Sequence, residues 1–223
     1  MTGLSRHAAL RPRRVGAISR GRRTLDLVVA LTALALLWPL LLGVALVVRL
    51  SSPGPVIFRQ QRLTRGHATF TMYKFRTMRV GIGGPEVTRA GDPRVTGPGR
   101  LMRRTSLDEL PQLINVLRGQ MTLVGPRPET PALAAKYPDA LQWVLDETPG
   151  LTGPAQITLR DDVSITGSVD DVERWYIERL VPRRVAADLT FLRRPTLLAT
   201  MHVIVMTVRY LLSGRRPGIR AAA

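Results

Sequence analysis

The run Leu27 to Val48, LVVALTALALLWPLLLGVALVV, contains no charged residue. As a helix rising about 1.5 Å per residue it is roughly 33 Å long, enough for the hydrocarbon core of a bilayer. Such a segment reads as membrane-embedded, and everything else in the chain must be arranged around it. A cleaved signal peptide is the competing reading, because the Arg-rich leader LRPRRVGAISRGRR precedes the run. Against it, the run is longer than a usual signal core, and RLSSPGPVIFRQQR, which follows, has no small-residue cleavage pattern.

Orientation follows from the flanking cations. Arg20, Arg22 and Arg23 stand on one side, and Arg49, Arg59, Arg62 and Arg65 on the other, so both ends look cytoplasmic. Pro39 sits in the middle of the run, where it removes a backbone donor and crowds the preceding turn. A re-entrant helix, break, helix hairpin puts both basic flanks on one face. An ordinary spanning helix with a tolerated proline is the alternative.

The chain of 223 residues, 45% apolar, is long enough for one domain with a sizeable core. Its formal net charge of +17 calls for an anionic partner: nucleic acid, anionic lipid or a phosphorylated substrate. Nearly all the cations are Arg, since only Lys74 and Lys136 are lysines, and the absence of cysteine excludes disulfides and thiolate sites. Aromatic residues make up 5% and are not interleaved with the basic ones, and no nucleic-acid-binding motif is present, so a nucleic-acid binder is disfavoured. SSPGPVIFRQQR reads as a turn and a strand, and ATFTMYKFRTM as a second strand. Residues 80–99, rich in Gly and Pro, read as a long loop, and helices are expected over about 108–119, 130–146 and 170–180. Residues 196–212 form a second apolar segment in which Leu197, Met201, Val205, Val208 and Leu212 share a helical face. That suits a helix lying in the membrane interface, with a core-facing helix as the alternative.

Asp108 and Glu109 are adjacent acids in this basic chain. Ser106 and Glu109 have capping-box spacing, and the helix dipole favours acids in a first turn. Pro111 spoils that register, because as the fifth residue after a Ser106 cap it costs a hydrogen bond. If Pro111 opens the helix instead, the acids precede it and face a ligand. Arg103 and Arg104 before them, Arg127 after them, and Lys74 and Arg76 on the upstream strand suit phosphate oxygens. The acid pair suits Mg²⁺, and a carboxylate among cations keeps the low pKa a nucleophile needs, so the chemistry indicated is phosphoryl transfer.

From about Arg23 to Leu212 the chain resembles the bacterial sugar transferases, monotopic polyprenyl-phosphate phosphoglycosyl transferases that initiate exopolysaccharide and O-antigen assembly. The likeness rests on six motifs in order: the proline-interrupted run, SPGPVIFRQQR, YKFRTM, RRTSLDELPQLINVLRG, LVGPRPE and PGLTGPAQI. The resemblance implies an α/β fold, mostly helical, with a small β element, a re-entrant membrane hairpin broken at Pro39 and interfacial amphipathic helices. Its expected segments are a basic leader (1–23), the re-entrant helix (24–50), a cytoplasmic catalytic domain (51–195), an interfacial helix (196–212) and a basic tail (213–223). It implies transfer of a sugar-1-phosphate from a nucleotide sugar, UDP-linked, to a polyprenyl phosphate at the cytoplasmic face of the bacterial inner membrane. Asp108 would be the nucleophile that carries a covalent phosphosugar and binds Mg²⁺. Glu109 would be a general base or would hold the metal and acceptor, and Lys74, Arg76, Arg103, Arg104, Arg127 and Arg160 would contact phosphate or substrate. The Arg excess would bind anionic lipid. Trp38 stands where the family has Ser, AQITLR replaces the common Asn-Gly before Arg160, and Glu173 replaces Asp. The sugar, nucleotide base, downstream glycan and oligomeric state are left open. A non-catalytic scaffold of the same fold is the rival reading.

Overall fold

The computed structural model describes residues 17–84, 87–88, 91–159 and 169–213. Most of the basic leader, Arg160 and the basic tail lie outside the described residues. Helix α1 (Arg20–Ser51) carries the apolar run and is long and apolar enough to cross a membrane. Where a break was expected, the backbone stays helical through Pro39. The proline therefore acts inside one helix, removing a hydrogen bond without ending it.

Both ends of α1 are moored to the body and its middle is not. The buried residues are Arg22, Asp26 and Ala30 near the start and Val44 and Val48 near the end. At the start, Ser19 caps the helix by accepting from the Arg22 N–H. Arg22 Nη2 donates to the Val124 carbonyl at 2.8 Å, and Arg23 donates to the carbonyls of Val116 and Leu117 at 2.7 and 2.8 Å. Asp26 accepts from the Thr122 hydroxyl at 2.7 Å and the Leu123 N–H at 3.0 Å. A buried carboxylate survives only when paired in this way. At the other end, Val44 and Val48 pack with Phe75 and Met102 in a small core of their own.

The body is mostly helical with two two-stranded sheets among the described residues. Strands β1 (Ile57–Leu63) and β2 (Thr69–Phe75) form the expected antiparallel hairpin. The segment after it ends sooner than its composition implied, because α2 (Gly97–Thr105) starts inside the Gly/Pro-rich region, capped by Thr96. Gly99 lets α2 approach closely: a Cβ there would stand 2.2 Å from the Thr77 carbonyl oxygen. The helix expected over 108–119 is a 3₁₀ turn, Leu107–Gln112, followed by the short α3 (Leu113–Leu117), since Pro111 cannot donate within a longer helix.

Strand β3 (Thr122–Val124) pairs in parallel with β4 (Gly150–Thr152) and sets the turn after Val124 beside the turn after Thr152. Between them, the helix expected over 130–146 is divided by Pro138 into α4 (Pro131–Ala134) and a 3₁₀ segment, Asp139–Asp146. Helix α5 (Pro154–Thr158) follows β4, and its Ala155 N–H donates to the buried Asp188 carboxyl, whose pKa burial pushes up to about 7. Helix α6 (Val169–Trp175) runs through a π turn, Tyr176–Leu180, into α7 (Val181–Arg193). The last element, α8 (Leu197–Ser213), turns the expected face outward: Leu197, Met201, Val205, Val208 and Leu212 are all exposed.

Candidate active site

The 3₁₀ turn that holds Asp108 and Glu109 is fixed from both sides. Ser106 closes α2 in the left-handed conformation (φ 59°) and makes no side-chain cap, so the capping-box role does not hold here. Leu107 packs into the small core at the end of α1. Behind the turn, the fully buried Asn115 of α3 accepts from the Tyr73 N–H at 3.2 Å and donates to the Thr71 carbonyl at 2.8 Å. Asn115 thus locks the acid turn to β2, the strand that carries Lys74.

Lys74 Nζ donates to Glu109 Oε1 at 2.9 Å, and Arg127 Nη1 lies 3.9 Å from the same oxygen. Burial lowers the Lys74 pKa, with Glu109 acting in the opposite direction. Arg103 donates from Nε to the Thr77 hydroxyl at 2.8 Å and interacts electrostatically with Asp108. Asp108 is buried, whereas Arg104 is exposed at the rim. The structure therefore gathers Lys74, Arg103, Arg104, Asp108, Glu109 and Arg127 on the wall of one cleft of about 2360 Å³.

Arg76 borders that cleft too, but its guanidinium is committed elsewhere. It donates to the carbonyls of Val48, Ser52 and Pro53, closing the end of α1. Arg160 lies outside the described residues. Glu173, one of the departures noted in the sequence, forms an ion pair with Lys136. Four further residues of the wall, Arg94, Glu129, Tyr176 and Arg184, were missed by the sequence reading. Only Glu129 carried a signal, as the residue that ends LVGPRPE.

The cleft is chemically two-sided. One wall is the charged group just described. The other is hydrocarbon, from Val29, Ala33 and Leu37 of α1 and Ile204, Val208 and Leu211 of α8. Among the described residues no group of three or more His, Asp or Glu side chains forms a ready-made metal cage.

A cleft lined by cations, an acid pair and apolar side chains of two helices is the site the fold offers, and comparison with known proteins gives its class. The bacterial sugar transferase family matches residues 18–214, and the chain belongs to that family. It is 42% identical to the UDP-glucose:undecaprenyl-phosphate glucose-1-phosphate transferase of Caulobacter vibrioides, over 88% of this chain and 72% of that protein. It is 36% identical to the exopolysaccharide production protein PSS of Rhizobium leguminosarum bv. phaseoli, over 84% of this chain and 92% of the relative. The Escherichia coli UDP-glucose:undecaprenyl-phosphate glucose-1-phosphate transferase is 40% identical over 84% of this chain, which spans 39% of it.

Proposed function

We propose that the protein transfers a sugar-1-phosphate from a UDP-sugar to a polyprenyl phosphate through a phosphosugar bound to Asp108, initiating polysaccharide or glycoconjugate synthesis. The two-sided cleft carries this reading, because an acid pair among phosphate-binding cations faces a wall suited to a prenyl chain. The Asp108 carboxylate attacks the phosphorus next to the sugar. An Asp–O–P bond forms, the P–O bond to the nucleotide breaks, and nucleoside monophosphate leaves with the bonding electrons. The phosphate oxygen of the lipid then attacks the same phosphorus and releases Asp108. Lys74, Arg103 and Arg127 hold the phosphates in line, and Glu109 keeps Lys74 and Arg127 aimed at them or assists as a base.

The donor set suits Mg²⁺, which uses one or two carboxylates and completes its shell with water and substrate phosphate. Asp108, with Glu109 beside it, would hold the ion. Bound there, it would neutralise charge on the diphosphate. The test is denaturing mass spectrometry after exposure of the protein to UDP-glucose and Mg²⁺. A phosphosugar adduct on the peptide containing Asp108 is expected, and an adduct reproducibly located on another residue would remove Asp108 from this role.

The same reading places the protein on the cytoplasmic face of the inner membrane, with α1 re-entering one leaflet, α8 in the interface and the Arg excess on anionic lipid. The mooring of both α1 ends to one body supports it. Tags at residue 5 and at residue 220 are expected to resist labelling from outside intact cells. Labelling of the N-terminal tag would sink the re-entrant placement.

A further inference from the structure

Arg184 and Tyr176 take no part in the reaction as described, yet they border the same cleft. Arg184 Nη1 donates to the Tyr176 hydroxyl at 2.7 Å, and its guanidinium stacks 5.1 Å from the centre of the Tyr176 ring. The Tyr176 hydroxyl in turn donates to Glu129 Oε1, an oxygen that lies 3.9 Å from Arg184 Nη1. Glu129 is 3% exposed, so the base of this stack is rigid, while Arg184 at its top is 18% exposed. Among the described residues the Arg184 guanidinium donates through Nη1 alone, which leaves Nε and Nη2 for a ligand.

The backbone here is built for this arrangement. In an unbroken α-helix, residues at the spacing of Tyr176 and Arg184 would lie about 80° apart around the axis. The π turn, Tyr176–Leu180, takes up an extra residue: the Val181 N–H bonds the Tyr176 carbonyl. Pro182, which lacks an N–H, has no bond to give in the α register there. The two side chains come to one face, and π turns of this kind are frequent at functional sites.

Charge supplies the ligand class. In the attacking site the carboxylates of Asp108 and Glu109 offset two of the three cations Lys74, Arg103 and Arg127, and Arg104 is exposed and screened. Each half of the proposed reaction brings a second phosphate into the cleft. Arg127 interacts electrostatically with Asp108 and Glu109 and also with Tyr176 and Glu129, so it joins the acid pair to the Arg184 stack.

We infer that Arg184, aimed by Tyr176 and Glu129, forms a second anion subsite that holds the phosphate monoester not under attack. That monoester is the departing nucleotide's phosphate or the arriving lipid's. This inference rests on the phosphoglycosyl-transfer reading, and its test is therefore binding rather than turnover. Equilibrium binding of UMP and, separately, of farnesyl phosphate is measured on the full-length protein in lipid nanodiscs, for the native chain, R184Q, R184K and Y176F. R184Q is expected to weaken one of the two probes by about tenfold or more, the scale of charge-assisted hydrogen bonds. R184K, which keeps the charge but not the fork, and Y176F, which keeps the ring but not the hydroxyl, should fall between. Weakened UMP assigns the subsite to the nucleotide, and weakened farnesyl phosphate assigns it to the lipid. Unchanged affinity for both in all three variants overturns the inference, as does a lowered thermal midpoint with no change in either affinity, or a native protein that binds neither probe. Failure of the parent reading appears separately, as absence of the phosphosugar adduct in the native chain.

Discussion

Asp108→Asn is expected to abolish release of nucleoside monophosphate from UDP-sugar even when no lipid acceptor is present. The first half-reaction needs only the donor and the attacking carboxylate, and an amide of the same shape has no comparable nucleophilicity. Removing a nucleophile typically costs about 10⁴-fold or more in rate. Were Asp108 only a helix cap, the loss would be roughly 1 kcal/mol of stability, with activity largely kept. The turn that carries it is held by the left-handed Ser106 on one side and by Asn115 behind, so Asn should fit without moving the backbone. Stopped-flow or discontinuous measurement of released monophosphate, together with the thermal midpoint, separates the two roles. A stable variant that still releases monophosphate at near the native rate would end the nucleophile assignment.

Asp26→Leu should produce the largest loss of stability. The carboxylate is fully buried and accepts from Thr122 and Leu123, with Arg22 and Arg23 bonded to neighbouring carbonyls. Leucine leaves the Thr122 hydroxyl and the Leu123 N–H without their partner and removes one of the two carboxylates, Asp26 and Glu147, whose charges act on Arg22. Breaking a buried charged network by removing one member costs about 3–5 kcal/mol. For a chain of this size that lowers the thermal midpoint by about 10 °C. The midpoint in nanodiscs reads this directly, and an unchanged value would show that the start of α1 is held by its apolar contacts alone.

The residues that share the cleft were more legible than the path of the chain. Asp108, Glu109, Lys74, Arg103, Arg104 and Arg127 were all legible because charged residues in a chain with few acids, set beside Pro and Gly, have little else to do, and the fold brings them to one cleft. The β1–β2 hairpin was legible from alternation. Helices were overextended at Pro111 and Pro138 and wrongly broken at Pro39, because periodicity records which face is buried and not which hydrogen bonds are available. The β3–β4 pair was invisible. Three-residue strands have no period to detect, and their pairing depends on two glycines in contact: a Cβ on Gly150 would stand 2.0 Å from the Gly125 nitrogen. Arg76 shows the limit of reading charge alone. It closes the end of a helix, and only tertiary structure distinguishes it from Arg103 and Arg127, which interact with the acid pair.

The moorings of α1 also set how far the protein can reach into lipid. As a whole, Arg20–Ser51 is long enough to cross. Between Ala30 and Val44, however, no residue is fully buried: Ala33, Leu34 and Leu41 pack only partly against the body, and the stretch amounts to about 20 Å of helix. A hydrocarbon core is about 30 Å thick. For α1 to reach the far headgroups, the Asp26 network or the Val44–Val48 core would have to detach, and each of those holds one flank of the acid turn. The depth α1 could reach in a bilayer and the geometry of the Asp108–Glu109 turn are thus a single degree of freedom: drawing the helix deeper would pull apart the contacts that hold that turn.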